Sequence, residues 1–274
     1  MSVTAVIVAY RSERTITACI ASALEAGVEN VVVWDNSAGG LTRELVGAAF
    51  DARVQVLGDG ENHGFGGGVN RALPQVSSEL VLLLNPDCVI SAEALRALED
   101  ALELPGAGVV APRMVYPDGT PGIAGGPPPS VLKELLASLH VDDHLPSSVR
   151  QSLLRSLDRR RAGAGYADSL VPGEPVDIDW VSGFCMVFHV SFLREIGGFD
   201  EDFFLYFEDV DLCMRVSDAG RRVLLARDAV VLHHESASMG SEKSRHYRTG
   251  FGVFLRKHRS APSRLLARVT GVAQ

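Results

Sequence analysis

Apolar positions in the first hundred residues fall into short continuous runs. Thr4–Tyr10 (TAVIVAY), Asn30–Trp34 (NVVVW), Val54–Leu57 and Leu80–Leu84 (LVLLL) each read as a strand buried on both faces. Glu13–Ala26, Leu41–Ala49 and Ala92–Leu102 between and after them read as helices, and Gly67–Leu73 begins another. Strands alternating with helices predict an α/β fold with a parallel sheet covered on both sides, in which ligands sit at the carboxyl ends of the strands.

That rule selects four loops. They are Tyr10 to Glu13 after the first strand, Asp35 to Ser37 after the second, Glu61 to Asn70 after the third, and Asn85 to Asp87 after the fourth. Two strand ends carry an acid, Asp35 and Asp87, which argues for a ribose or base contact plus a metal rather than simple backbone cradling of a phosphate. Gly64, Gly66, Gly67 and Gly68 in NHGFGGGVNR permit close backbone approach to a ligand. They follow the third strand rather than the first, which departs from the dinucleotide-binding fingerprint and argues against a Rossmann dehydrogenase.

Further along, GGFDEDFFLYFEDVDLCMR sets Asp200, Glu201, Asp202, Glu208, Asp209 and Asp211 among large apolar side chains, with Asp218 just beyond. Burial costs a carboxylate several kcal/mol unless a cation or donors compensate. Glu208 and Asp209, directly after the apolar run Phe203–Phe207, are therefore the candidates for a general base, and they also suit the first turn of a helix.

Composition narrows the class. The chain has 274 residues, 46% of them hydrophobic and 22% charged, with no run near the roughly 18 apolar residues of a membrane span. The N-terminus has no basic region ahead of its apolar stretch, so the chain reads as cytoplasmic. Cys19, Cys88, Cys185 and Cys213 lie far apart in apolar segments, as core thiols do, and form no disulfide or zinc pattern. The net charge of −8 is unevenly spread: eight of the 26 basic residues but one of the 34 acids lie from Ser241 onward, giving +7 there and −15 before it. Residues 241–274 thus predict a basic amphipathic helical tail, expected either to touch an anionic membrane surface at the inner face of the plasma membrane or to pack on the main domain with its basic side solvated. The acidic body and the lack of a recognition motif exclude nucleic acid as partner. A homodimer is left open.

Eight segments in order carry a family resemblance: VIVAYRS (6–12), WDNSAGG (34–40), NHGFGGGVNRAL (62–73), LLLNPDC (82–88), APRMVYPDGT (111–120), DWVSGFCMV (179–187), IGGFDEDFFLYFEDVDLCMRVSDAGRRV (196–223) and AVVLHHESAS (229–238). The chain resembles the inverting nucleotide-sugar glycosyltransferases of family 2, with the GT-A fold, and within them the bacterial rhamnosyltransferase-like members. The resemblance implies one GT-A domain over 1–240: a Rossmann-like, mostly parallel nucleotide-sugar half (about 1–120), an acceptor-side insertion (about 122–175) and a catalytic half (about 176–240). It implies Tyr10, Arg11 and Asp35 around the nucleoside, with Asn62, Gly64 and Asn70 along the diphosphate. Asp87 matches the last acid of the family's DxD motif, Asn85 replaces the first, and Mg²⁺ or Mn²⁺ is expected on Asp87 and His233, with His234 as the alternative ligand. Asp209 corresponds to the catalytic base, Glu208 orients it or the acceptor, and Trp180, Gly183 and Asp211 face the acceptor. The implied donor is dTDP-L-rhamnose, with a UDP-hexose or UDP-galactofuranose as alternative. The implied acceptor is a cell-envelope glycan or a polyprenyl-diphosphate-linked sugar; a remote alternative is an inactive sugar-nucleotide-binding protein. Within the insertion, 131–139 and 147–157 read as helices and 159–165 as a basic, glycine-rich loop, together forming an acceptor lid.

Overall fold

In the computed structural model, which describes residues 1–127, 129, 171–234 and 240–259, three of the four apolar runs become inner strands of one sheet and the fourth, Val54–Leu57, its partly exposed edge. β1 (Val3–Ala9) is buried along its whole length and lies between β2 (Asn30–Asp35) and β4 (Leu80–Leu84), parallel to both, with β3 (Val54–Leu57) parallel outside β2. Helices α1 (Ile16–Ala26), α2 (Leu41–Ala49), α3 (Gly64–Ala72) and α4 (Ala92–Leu102) make the connections. α1 begins three residues later than its pattern predicts, because the Ser12 carbonyl accepts the N–H groups of Thr15 and Ile16 and holds a turn there. α3 begins three residues earlier, at Gly64.

The sheet is mostly parallel, as expected, with a mixed second half. Its full order is β3-β2-β1-β4-β10-β6-β11-β5, with β5 (Cys88–Val89), β6 (Ala107–Val115), β10 (Cys185–His189) and β11 (Arg222–His233). β10 runs antiparallel between β4 and β6, while β11 runs parallel to β6 and antiparallel to β5. Short β8 (Val176–Asp177) pairs with β11, and β7 (Gly125–Gly126) pairs with β9 (Trp180–Val181) as a separate two-stranded sheet. The expected helices at 131–139 and 147–157 and the loop at 159–165 lie outside the described residues.

Three further helices complete the described chain: α5 (Val190–Glu195), α6 (Glu208–Asp218) and α7 (Gly240–His258). The main core runs along both faces of the sheet, with Ile7, Leu82, Leu83, Phe184 and Phe188 almost wholly buried. A smaller cluster joins Phe203, Phe207 and Val210 to Phe251, Val253, Phe254 and Leu255 of α7. The apolar side of α7 is thus packed on the protein itself, as a terminal helix on the main domain would be, and no described helix is long and apolar enough to cross a membrane.

Candidate active site

Strand register places the predicted loops side by side. Ala9 pairs with Asp35, and Asn36 N–H donates to the Ala9 carbonyl at 2.8 Å, so Tyr10, Arg11 and Asp35 share the carboxyl edge of β1 and β2. Tyr10 is exposed, with the Arg11 guanidinium 5.1 Å from its ring centre. Arg11 adopts a left-handed backbone (φ 53°) and donates its N–H to Ser37 Oγ at 2.8 Å. Asp35 is buried and accepts Ser37 N–H at 2.9 Å.

The Asn85–Asp87 turn ends β4, and the pairing of His233 with Cys88 across β11 and β5 brings a histidine to it. His233 Nε2 lies 3.1 Å from Asp87 Oδ1, its ring held against Phe184 and Tyr116. His234 meets the same aspartate only through its backbone N–H, which donates to the Asp87 carbonyl. The Cys88 thiol falls within 4.8 Å of the Asp87 and His233 donor atoms. Burial pushes that thiol well above its ordinary pKa, favouring the protonated form. One carboxylate and one imidazole fit Mn²⁺ or Mg²⁺ when diphosphate oxygens supply further ligands, and they do not make a closed zinc site.

The carboxylate pair opens α6. The two residues before it, Tyr206 and Phe207, are both left-handed (φ 69° and 72°), which turns the chain sharply and sets Glu208 and Asp209 in the first helical turn. Glu208 is buried and its Oε2 has no hydrogen-bond partner. Half-buried Asp209 accepts Gly183 N–H on Oδ2 at 3.1 Å and Val210 N–H on Oδ1 at 2.8 Å. Burial and the neighbouring Asp209 charge push Glu208 well up, and burial raises Asp209 against the two backbone donors. The shared proton therefore belongs on Glu208 and the charge on Asp209, the group with N–H donors. The 183–184 turn also couples this pair to the Asp87 loop, since Asn85 N–H donates to the Phe184 carbonyl at 2.8 Å. Trp180, half-buried, donates its indole N–H to the Pro127 carbonyl at 2.8 Å.

Several expected contacts have other partners. Asp211 does not face an acceptor: it is buried, with Oδ2 taken by Arg215 at 2.8 Å and Oδ1 by His258 at 2.7 Å. Asn70 clamps Phe199 through both backbone groups (2.8 and 2.9 Å) and reaches Glu201. The glycines of the loop admit the protein's own chain at close range. A Cβ on Gly64 (φ 73°) would stand 1.9 Å from the Phe204 carbonyl oxygen, and Cβ atoms on Gly66 and Gly68 would meet Phe199 and Val8. Asn62 accepts Gly64 N–H at 3.0 Å and so shapes the same turn. Asn36, which the sequence reading passes over, is the hub here: it is buried and joins Trp34, His63 and Gly64. Its polar neighbours Asp35 and Ser37 hide it in the sequence. A surface cavity of about 280 Å³ beside α4, lined by Asp100, Glu174, Arg227 and Asp228 among others, shares no residue with this arrangement.

A mostly parallel sheet with loops gathered at its strand ends, an acid–histidine pair and a carboxylate pair at a helix start are the features a glycosyltransferase needs. The chain belongs to glycosyltransferase-like family 2, whose family model matches residues 2–252. It is 29% identical over 209 residues to an N-acetylglucosaminyl-diphospho-decaprenol L-rhamnosyltransferase of Mycobacterium tuberculosis, covering 70% of this chain and 62% of that protein. It is 28% identical over 214 residues to the low-salt glycan biosynthesis hexosyltransferase Agl10 of Haloferax volcanii, covering 77% and 60%. The chain thus spans less than two thirds of the length of these relatives. Among solved structures, GalNAc-T7 with UDP, GalNAc and Mn²⁺ superposes with a TM-score of 0.65 over 93% of this chain and 48% of that one; at 12% identity, this likeness shows the GT-A fold alone.

Proposed function

We propose that the chain is an inverting, metal-dependent glycosyltransferase that moves L-rhamnose from dTDP-L-rhamnose to a cell-envelope glycan or a polyprenyl-diphosphate-linked sugar. The observation that carries this reading is the link through one turn, 183–184, between the Asp87–His233 pair and Asp209. Similarity to the mycobacterial rhamnosyltransferase supports the sugar and the lipid-linked acceptor.

In this reading Tyr10, Arg11 and Asp35 hold the nucleoside, and Asp87 with His233 holds a divalent cation, which when bound stabilises the departing diphosphate as a Lewis acid. Asp209 takes the proton of the acceptor hydroxyl as that oxygen attacks C1 from the face opposite the diphosphate. The single displacement inverts the anomeric centre, so a β-linked donor yields an α-rhamnoside. Glu208, retaining its proton, keeps a second negative charge out of the cleft, and Asp209's own burial raises its affinity for the acceptor proton. Trp180 and the Gly183 backbone border the acceptor.

Calorimetric titration with dTDP, UDP and GDP, each with Mn²⁺, Mg²⁺ or EDTA, tests the donor side. Metal-dependent dTDP binding tighter than UDP binding is expected; preference for UDP moves the reading to a UDP-sugar, and no nucleotide binding sinks it. Asp209→Asn tests the base. It should lower turnover roughly 10²- to 10⁴-fold at unchanged nucleotide affinity.

A further inference from the structure

α7 plays no part in the proposed chemistry, yet it meets the segment entering Glu208–Asp209 in three ways. Phe251 and Phe254 lie 5.3 and 5.6 Å, between ring centres, from Phe207, the residue immediately before the pair. A Cβ on Gly250 would stand 2.3 Å from the Tyr206 carbonyl oxygen and 3.0 Å from that of Leu205, so the helix rests directly on the backbone of the left-handed turn. Charge completes the contact. Lys257 Nζ lies 2.6 Å from Asp200 and 2.7 Å from Asp202, and His258 Nε2 lies 2.7 Å from Asp211 Oδ1. Asp211 sits in the first turn of α6 with Glu208 and Asp209, and its partner Arg215 also donates to the Ile196 carbonyl at 2.8 Å.

Two consecutive non-glycine residues in the left-handed region are strained and persist only where the surroundings hold them. Tyr206 and Phe207 are such a pair, and α7 covers them. We propose that α7 is a positioning element for the transfer reaction: Gly250 lets it press on the Tyr206–Phe207 turn, and His258 fixes Asp211, so that the first turn of α6 aims Asp209 at the acceptor. This rests on Asp209 being the base. The nucleotide edge at β1, β2 and β4 contains none of these contacts, so donor binding is independent of them.

The test uses the full chain with Gly250→Ala, His258→Leu and His258→Gln, assayed beside Asp209→Asn. Alanine is the better helix former, so Gly250→Ala perturbs the contact and not the helix. Glutamine can place an amide N–H where Nε2 stands. With dTDP-L-rhamnose and N-acetylglucosaminyl diphosphate on a short prenyl chain as probes, Gly250→Ala and His258→Leu should lower kcat about 10- to 100-fold. His258→Gln should restore most of it, with dTDP affinity constant throughout. Unchanged kcat, or dTDP affinity falling in step with kcat, overturns the proposal. Amide exchange reads the same contact without turnover: the Gly183 and Val210 N–H groups donated to Asp209 should exchange about tenfold faster in Gly250→Ala and His258→Leu. Unchanged protection there also overturns the proposal, whatever the activity. Retained turnover in Asp209→Asn sinks the base assignment, whereas an inactive Asp209→Asn beside fully active Gly250→Ala and His258→Leu sinks only the positioning role.

Discussion

Adding one methyl group at Gly64 should damage both stability and turnover, although Gly64 lies in α3 and far along the chain from the carboxylate pair. Its φ of 73° costs an alanine about 1–2 kcal/mol. The new Cβ would also stand 1.9 Å from the Phe204 carbonyl oxygen, a backbone atom that cannot rotate away. An ordinary carbon–oxygen contact is about 3.3 Å, so the two backbones must separate by roughly 1.4 Å. Such overpacking costs a further 1–3 kcal/mol or so, which makes the expected loss about 2–5 kcal/mol. At roughly 2–4 °C per kcal/mol for a chain of this size, the midpoint of thermal unfolding should fall by about 4–20 °C. Phe204 lies five residues before Asp209, so a displacement of this size should also lower turnover about 100-fold in whatever protein remains folded. Urea unfolding with parallel dTDP calorimetry checks it. A Gly64→Ala protein losing under about 0.5 kcal/mol, or one of full stability that fails to bind dTDP, would refute the packing argument and return Gly64 to the diphosphate.

Glu208→Gln should flatten the pH dependence of stability. Because the folded state raises the Glu208 pKa, folding binds a proton there, so wild-type stability declines as pH rises from the ordinary glutamate value towards the raised one. Parallel wild-type and variant curves of urea midpoint against pH would contradict this. His233→Ala should weaken Mn²⁺-dependent dTDP binding at least about tenfold while His234→Ala leaves it intact, and equal effects in calorimetry would remove the distinction between them. Asn70→Ala should cost about 1–3 kcal/mol in urea unfolding through the lost Phe199 clamp and leave dTDP affinity unchanged; weaker dTDP binding without lost stability would place Asn70 at the ligand after all.

The first four strands were legible because three of them are inner strands. Leu80–Leu84 and Val3–Ala9 need apolar side chains on both faces, and a continuous apolar run has few other uses. β10 is equally apolar but adjoins strands more than 70 residues away, and nothing in CMVFH states that it runs antiparallel between β4 and β6. The same asymmetry divides the site. Asp87 and His233 could be singled out by residue type and strand-end position, but their 3.1 Å approach depends on the pairing of β5 with β11. Asp211 and Asn70 look no different in sequence from acceptor or phosphate contacts, because a polar side chain that braces the fold uses the same atoms as one that binds a ligand. The basic tail leaves two partners open in sequence, a membrane surface or the main domain, because charge alone does not say which acids it meets; in the fold Lys257 and His258 meet Asp200, Asp202 and Asp211.

The pairing of Gly125 and Gly126 with Val181 and Trp180 has a consequence for how such a chain can diversify. A Cβ on Gly125 would stand 2.2 Å from the Trp180 carbonyl oxygen, so the two strands are pressed together and close the base of everything between them in sequence. The entropy of closing a loop grows only logarithmically with its length, about 0.6 kcal/mol per doubling. The sequence between positions 127 and 171 can therefore change in length at little thermodynamic cost to the sheet, while β8 keeps its pairing with β11 and the clasp returns the chain to Gly183 and Asp209 each time. The sheet can stay constant while that segment is replaced as a cassette.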